Sequence, residues 1–119
     1  MGNVGSLCAL NHSHASKLES SVCQMIQLRE KAGELKLIQV QAKVYLTRAR
    51  IGYIPDFLCT DLRTGGDLFV EAKGWPNDTW PIKKKLWKYY GPAPLEIWTG
   101  SHLRPVLDEV IVPAPEVLR

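Results

Sequence analysis

Long apolar runs are missing from this 119-residue chain, and without a stretch of about 18 consecutive apolar residues no segment reads as a membrane-spanning helix. The opening residues, MGNVGSLCALNHS, lack the basic flank and apolar centre of a secretory leader, so the expectation is a soluble cytoplasmic protein with no membrane partner. Cysteine is scarce and odd in number: Cys8, Cys23 and Cys59 do not complete a disulfide frame and suit a reducing compartment. The order Cys8-x3-His12-x-His14 does not match a usual structural zinc spacing. Neither a G-x-x-x-x-G-K-[ST] phosphate loop nor a G-x-S-x-G nucleophile elbow occurs, which argues against P-loop and serine-hydrolase chemistry. Internal repeats and Gly/Ser-rich linkers are also absent, so residues 1–119 read as one domain with residues 1–13 irregular.

What is present is the composition of an ordinary globular domain, 45% apolar and 23% charged, enough to build a core without staples. The net charge of +3 is unevenly spread. Residues 1–50 and 74–91 are basic, whereas residues 51–73 and 92–119 are acidic. An acidic segment between two basic ones suits a cation-assisted site that meets a polyanion, although a solvated surface gives the same count.

Apolar periodicity orders the elements. Leu18, Val22, Met25, Ile26 and Arg29 form one stripe of a helix that starts at Ser16 and ends at Ala32-Gly33. Strict alternation of Ile38, Val40, Ala42, Val44 and Leu46 with polar residues predicts a strand. Tyr53 to Thr60 and Asp67 to Lys73 read as two more, joined by the turn DLRTGG. A second helix is capped by Asp78 or Thr79, carries Pro81 in its first turn and ends before Gly91. Leu95–Trp98 reads as a strand, and Ser101 with Pro105 favours a short final helix up to Glu109. The expected class is α/β (α+β), with an antiparallel sheet flanked by helices.

The chemistry concentrates in Pro55-Asp56 and Glu71-Ala72-Lys73. Residues two apart on a strand share a face, so Glu71 and Lys73 project together while Leu68, Val70 and Ala72 enter a core. Register decides whether Asp56 joins them. A six-residue connection, Asp61–Gly66, pairs Thr60 with Asp67 and sets Asp56 opposite Glu71, with Cβ atoms about 5 Å apart. A two-residue loop slides Asp56 along the strand, and a three-residue loop sends it to the other face. Two converging carboxylates repel unless a divalent cation lies between them, and hard oxygen ligands suit Mg²⁺ or Mn²⁺. Such a cation polarises a phosphoryl oxygen while a nearby lysine orients or deprotonates the attacking water. Together these parts predict phosphodiester hydrolysis.

Pro-Asp, a spacer and Glu-x-Lys on neighbouring strands resemble the PD-(D/E)xK, or restriction-endonuclease-like, nucleases, over about residues 14–98. The chain is most similar to short phage-encoded members and to junction resolvases of the phage endonuclease-I type. The resemblance implies a central mixed sheet in α-β-β-β-α-β order. It also implies a Mg²⁺-dependent endodeoxyribonuclease, and the likeness to resolvases implies branched DNA as the substrate and a homodimer. It assigns catalysis to Asp56, Glu71, Lys73 and Glu19, and the cation to Asp56, Glu71, the Ala72 carbonyl and Glu19.

Plainer roles stand beside these. Glu19 closes Ser16-x-x-Glu19, a capping box, and Glu71 with Lys73 is also a common exposed charge pattern. On the second helix, Ile82, Leu86, Tyr89 and Tyr90 are expected inward. Lys84, Lys85 and Lys88 are expected outward, and Lys83 with Trp87 on one flank. Lys83, Lys84, Trp87 and Lys88, with Trp75, are then the candidate DNA contacts, and Trp80 can stack on bases or cover the core. Two other function classes fit the same composition: a non-catalytic nucleic-acid-binding module of this fold, and a phage assembly subunit.

Overall fold

Helix α1 (Lys17–Lys31) follows the predicted stripe. Leu18, Val22, Cys23 and Ile26 are buried, Ser16 Oγ accepts the Glu19 N–H at 3.0 Å, and the helix stops at Ala32 and Gly33. Gly33 takes φ +78°, the left-handed turn at a helix end that favours glycine. The computed structural model describes residues 6–7, 13–14, 16–73 and 78–114.

Five strands make the main sheet: β3 (Leu35–Val40), β6 (Phe57–Asp61), β7 (Asp67–Ala72), β8 (Leu95–Ser101) and β9 (Arg104–Ile111), in the order β3-β6-β7-β8-β9. All neighbours are antiparallel except β7 and β8, which are parallel and joined through α2 (Trp80–Tyr90). The fold is therefore α+β around a mixed sheet, rather than the antiparallel sheet expected from the meander. No described helix is long and apolar enough to cross a membrane.

Both faces of the sheet are covered. Leu68 and Val70 of β7 pack with Phe57, Cys59, Trp98 and the apolar side of α1. Phe69, one residue out of phase, packs on the other side with Leu95, Ile97, Trp80 and Trp87. Alternation along β7 thus feeds two cores, and Glu71, on the Phe69 face, is drawn inside with it.

Four other expectations need correction. The segment from Ile38 to Leu46 is not one strand: β3 ends at Val40, Gln41 turns at φ +56°, and β4 (Val44–Tyr45) pairs instead with β5 (Gly52–Tyr53). A bulge between Leu37 and Gln39 leaves Ile38 exposed, so the alternation breaks within β3. The span from Tyr53 to Thr60 likewise divides at Pro55, which cannot donate to a ladder, into β5 and β6. Ser101–Glu109 is not a helix. A two-residue turn at His102-Leu103 returns the chain as β9, where Val106, Val110 and Ile111 favour a strand and the sheet edge tolerates Pro105. Within residues 1–13, Ser6–Leu7 pairs with Ser13–His14 as β1 and β2, so this segment is not wholly irregular. Cys8 and His12 lie outside the described residues.

Candidate active site

The turn after β6 takes the six-residue form. Thr60 pairs with Asp67 and Phe57 with Val70, so one further step along the same register sets Asp56 against Glu71. The turn carries its own determinants: Asp61 Oδ1 accepts the Arg63 N–H at 2.9 Å, the Gly65 N–H donates to Asp61 O at 2.7 Å, and Gly65 adopts φ +80°.

Another step along that ladder reaches Pro55 and Ala72. In an antiparallel pair of this phase the two residues exchange N–H···O bonds. Proline has no N–H, so the Ala72 carbonyl loses its ladder donor, while Asp56 Oδ2 takes the Ala72 N–H at 2.8 Å. The Pro-Asp pair therefore opens the ladder where a carboxylate and a main-chain carbonyl lie side by side.

Glu71 is held from two sides. The Tyr53 hydroxyl donates to Oε1 at 2.8 Å, and Lys73 Nζ lies 3.2 Å from Oε2. Lys73 also sits 4.6 Å above the Trp80 ring, which fixes the ammonium against an aromatic face. Asp56 and Glu71 are only 8% and 4% exposed. Burial first, then the charges of Glu71 and Glu19, push the Asp56 carboxyl up to about 8. Burial also raises Glu71, against the opposing pull of Lys73 and the Tyr53 hydrogen bond. Burial, with the Glu71 charge, keeps the Tyr53 phenol protonated and so a donor.

Glu19 is buried on α1 and acts on Asp56 electrostatically, while its own N–H is capped by Ser16. Capping and proximity to the site hold together. Among the described residues, no three His, Cys, Asp or Glu side chains form one metal-binding group. The oxygen atoms gathered here belong to the Asp56 and Glu71 carboxylates and the Ala72 carbonyl. Two buried carboxylates against the one ammonium of Lys73, with hard oxygen atoms, fit a divalent cation such as Mg²⁺ or Mn²⁺.

These groups open into a cleft of about 520 Å³ lined by Lys43, Gly52, Tyr53, Ile54, Asp56, Glu71, Lys73, Thr79, Trp80 and Lys83. Lys83 belongs to it because its ammonium donates to the Gly52 carbonyl. The other predicted DNA contacts fare differently. Trp87 is fully buried, packed 5.0 Å from Phe69 and 5.8 Å from Tyr53, with Nε1 donating to the Ala93 carbonyl, so it contacts no ligand. Lys84 is paired with Glu109 of β9 at 2.7 Å, whereas Lys88 is exposed. Trp75 lies outside the described residues, and Trp80 is buried beneath Lys73. The helix is rotated from the expected face: Ile82 and Tyr90 are exposed and Trp80 and Trp87 face the sheet, while Leu86 still packs partly on the core and Lys85 and Lys88 are exposed as expected. Two indoles a heptad apart bury more apolar area than Ile82 and Leu86 and set the rotation.

Sequence reasoning missed Tyr53 and Lys43. Tyr53 stood three residues before Asp56 as an unremarked strand residue, and Lys43 was taken only as the polar half of an alternation. No protein-family model, no curated protein and no solved structure matches this chain, so its functional reading rests on its own residues and geometry.

Proposed function

We infer that the chain hydrolyses DNA phosphodiester bonds as an endonuclease dependent on Mg²⁺ or Mn²⁺. The observation that carries this reading is the buried pairing of Asp56 with Glu71 beside Lys73, at the mouth of a cleft whose other charged groups are lysines. Asp56, Glu71 and the Ala72 carbonyl would hold the cation, with Glu19 acting on it from further out. The cation, when bound, polarises a phosphoryl oxygen and lowers the pKa of a water molecule. Lys73, fixed by Glu71 and Trp80, hydrogen-bonds that water and balances charge building on the phosphate. Tyr53 holds Glu71 in place from the opposite side, and Lys43 and Lys83 meet the flanking phosphates.

The element order supports the restriction-endonuclease-like reading. With the β1–β2 pair, the short β4–β5 hairpin and β9 set aside, the succession α1, β3, β6, β7, α2, β8 has the α-β-β-β-α-β order that the PD-(D/E)xK resemblance implies. The same resemblance favours branched DNA and a homodimer acting in the cytoplasm.

The test is incubation with supercoiled, single-stranded and four-way-junction DNA in Mg²⁺ or Mn²⁺. Cleavage is expected, reduced at least 100-fold by Lys73→Ala and by Asp56→Asn, with folding of both variants verified by circular dichroism. Failure to cleave any of the three substrates, or full activity in both variants, defeats the reading.

A further inference from the structure

Beside the cleft stands the β4–β5 hairpin, and its chemistry differs from that of the rest of the surface. Residues 35–55 carry Lys36, Lys43, Arg48 and Arg50 and no acidic residue. Among the described residues, Lys43, Arg48 and Arg50 make no ion pair, whereas Lys73 and Lys84 are neutralised by Glu71 and Glu109. Of the cleft lysines, Lys83 of α2 is held by the neutral Gly52 carbonyl, so most of the unneutralised positive charge beside the site is on the hairpin.

The hairpin is anchored. Ala42 and Leu46 are buried and Val44 partly so, all in the core that contains Trp80 and Trp87. At its base the Gln41 N–H donates to the Asp56 carbonyl at 2.8 Å, which ties it to the main chain of a site carboxylate. Strand alternation then turns Lys43 and Tyr45 outward together. Tyr45 is 48% exposed, with Arg50 4.5 Å and Lys43 5.1 Å from its ring centroid. Lys43 lines the cleft, and Tyr45 with Arg48 lines a second depression that Tyr90 also borders. An exposed aromatic ring flanked by cations without ion pairs, and linked to the cleft through Lys43, is suited to a strand whose bases are unpaired. The ring offers a stacking face and the cations meet successive phosphates.

We propose that the β4–β5 hairpin is the substrate-selecting element, in which Tyr45 stacks on an unpaired base while Lys43, Arg48 and Arg50 hold the phosphates of the strand leaving the cleft. It rests on the nuclease reading for its location and names the substrate class: DNA with a single-stranded stretch or an opened junction, in preference to continuous duplex.

The experiment measures binding by fluorescence anisotropy in EDTA, with a labelled four-way junction, a forked duplex and a blunt duplex, and cleavage separately in Mn²⁺. The expected results are at least fivefold weaker fork and junction binding by Tyr45→Ala, retention by Tyr45→Phe, and blunt-duplex binding unchanged by either. The triple variant Lys43→Gln/Arg48→Gln/Arg50→Gln should bind all three at least tenfold more weakly, with the slope of log K against log salt reduced by about 2. All four side chains are solvent-facing, so the variants should melt like the parent. Parent-like binding in both the triple and Tyr45→Ala variants, with the parent cleaving DNA, overturns the hairpin assignment and leaves the nuclease reading standing. Loss of binding in the variants, with a parent that binds but never cleaves, retains the hairpin and removes the nuclease reading. A parent that binds none of the three substrates removes both.

Discussion

Asp56 is held in the fold at an electrostatic disadvantage, and that disadvantage can be measured. Its carboxyl is raised from 3.8 to about 8 by burial and by the charges of Glu71 and Glu19, against one main-chain donor, the Ala72 N–H, and the attraction of Lys73. A carboxyl raised on folding prefers its protonated form in the folded state. Its contribution is therefore most favourable below about pH 4, and is lost as the pH rises through about 8. The upward shift of Glu71 acts in the same direction. A bound divalent cation favours the ionised pair and reverses the trend. Without divalent metal, the melting temperature should fall between pH 5 and pH 8 by more in the parent than in Asp56→Asn. Adding Mn²⁺ should raise it at pH 8 by several degrees, corresponding to about 1 kcal/mol or more for a chain of this size, and by much less at pH 5. Scanning calorimetry decides the matter: pH profiles that match in parent and variant, or a Mn²⁺ response that survives Asp56→Asn, would contradict this account of the site.

Elements were legible where their determinants are local. The connection between β6 and β7 carries its own turn determinants in Asp61 and Gly65, so the register that brings Asp56 to Glu71 stood among the three loop lengths that the sequence allowed. The stripe of α1 was likewise set by consecutive turns of one segment. The rotation of α2 was not, because it depends on which side chains fill a space bounded by Phe69 and Tyr53, residues distant in the chain. β9 was hidden because its partner is β8 and its proline resembles a helix start until the edge position is known. Gly91 shows the same division. It follows α2 as expected of a terminating glycine, but its φ is −62°, which any residue can adopt. Its requirement is steric: a Cβ there would lie 2.7 Å from the Trp87 ring and from the Trp87 carbonyl. Gly91→Ala should therefore cost about 1–3 kcal/mol by forcing the indole or the chain to move. Urea denaturation reads this directly, and a midpoint equal to that of the parent would show that the contact relaxes freely.

At the scale of the whole molecule, the site lies where β7 ends and the chain leaves the sheet for α2, while the opposite layer is secured by a separate polar network. Arg29 of α1 makes two bonds to Glu96 of β8, at 2.7 and 3.1 Å, and a third to Glu34 at 3.1 Å. Trp98 Nε1 donates to the same Glu96 oxygen at 3.0 Å. Glu96 is 7% exposed, so its charge is tolerated only because Arg29 covers it. Arg29→Met should leave that carboxylate buried and unpaired, a loss of about 3–5 kcal/mol. Glu96→Gln removes the charge while keeping an acceptor for Trp98, so the double variant Arg29→Met/Glu96→Gln should regain at least about 1.5 kcal/mol over Arg29→Met alone. Glu34 is more exposed, and its share of the network is small by comparison. A double-mutant cycle by chemical denaturation measures the coupling; strict additivity of the two substitutions would mean that the pair does not secure α1 to the sheet. Because the network packs on the α1 face whereas Glu71 and the cleft lie on the α2 face, DNA cleavage per folded molecule should be the same in the double variant as in the parent. The attachment of α1 to β8 and the chemistry at the end of β7 would then be separable properties of one sheet.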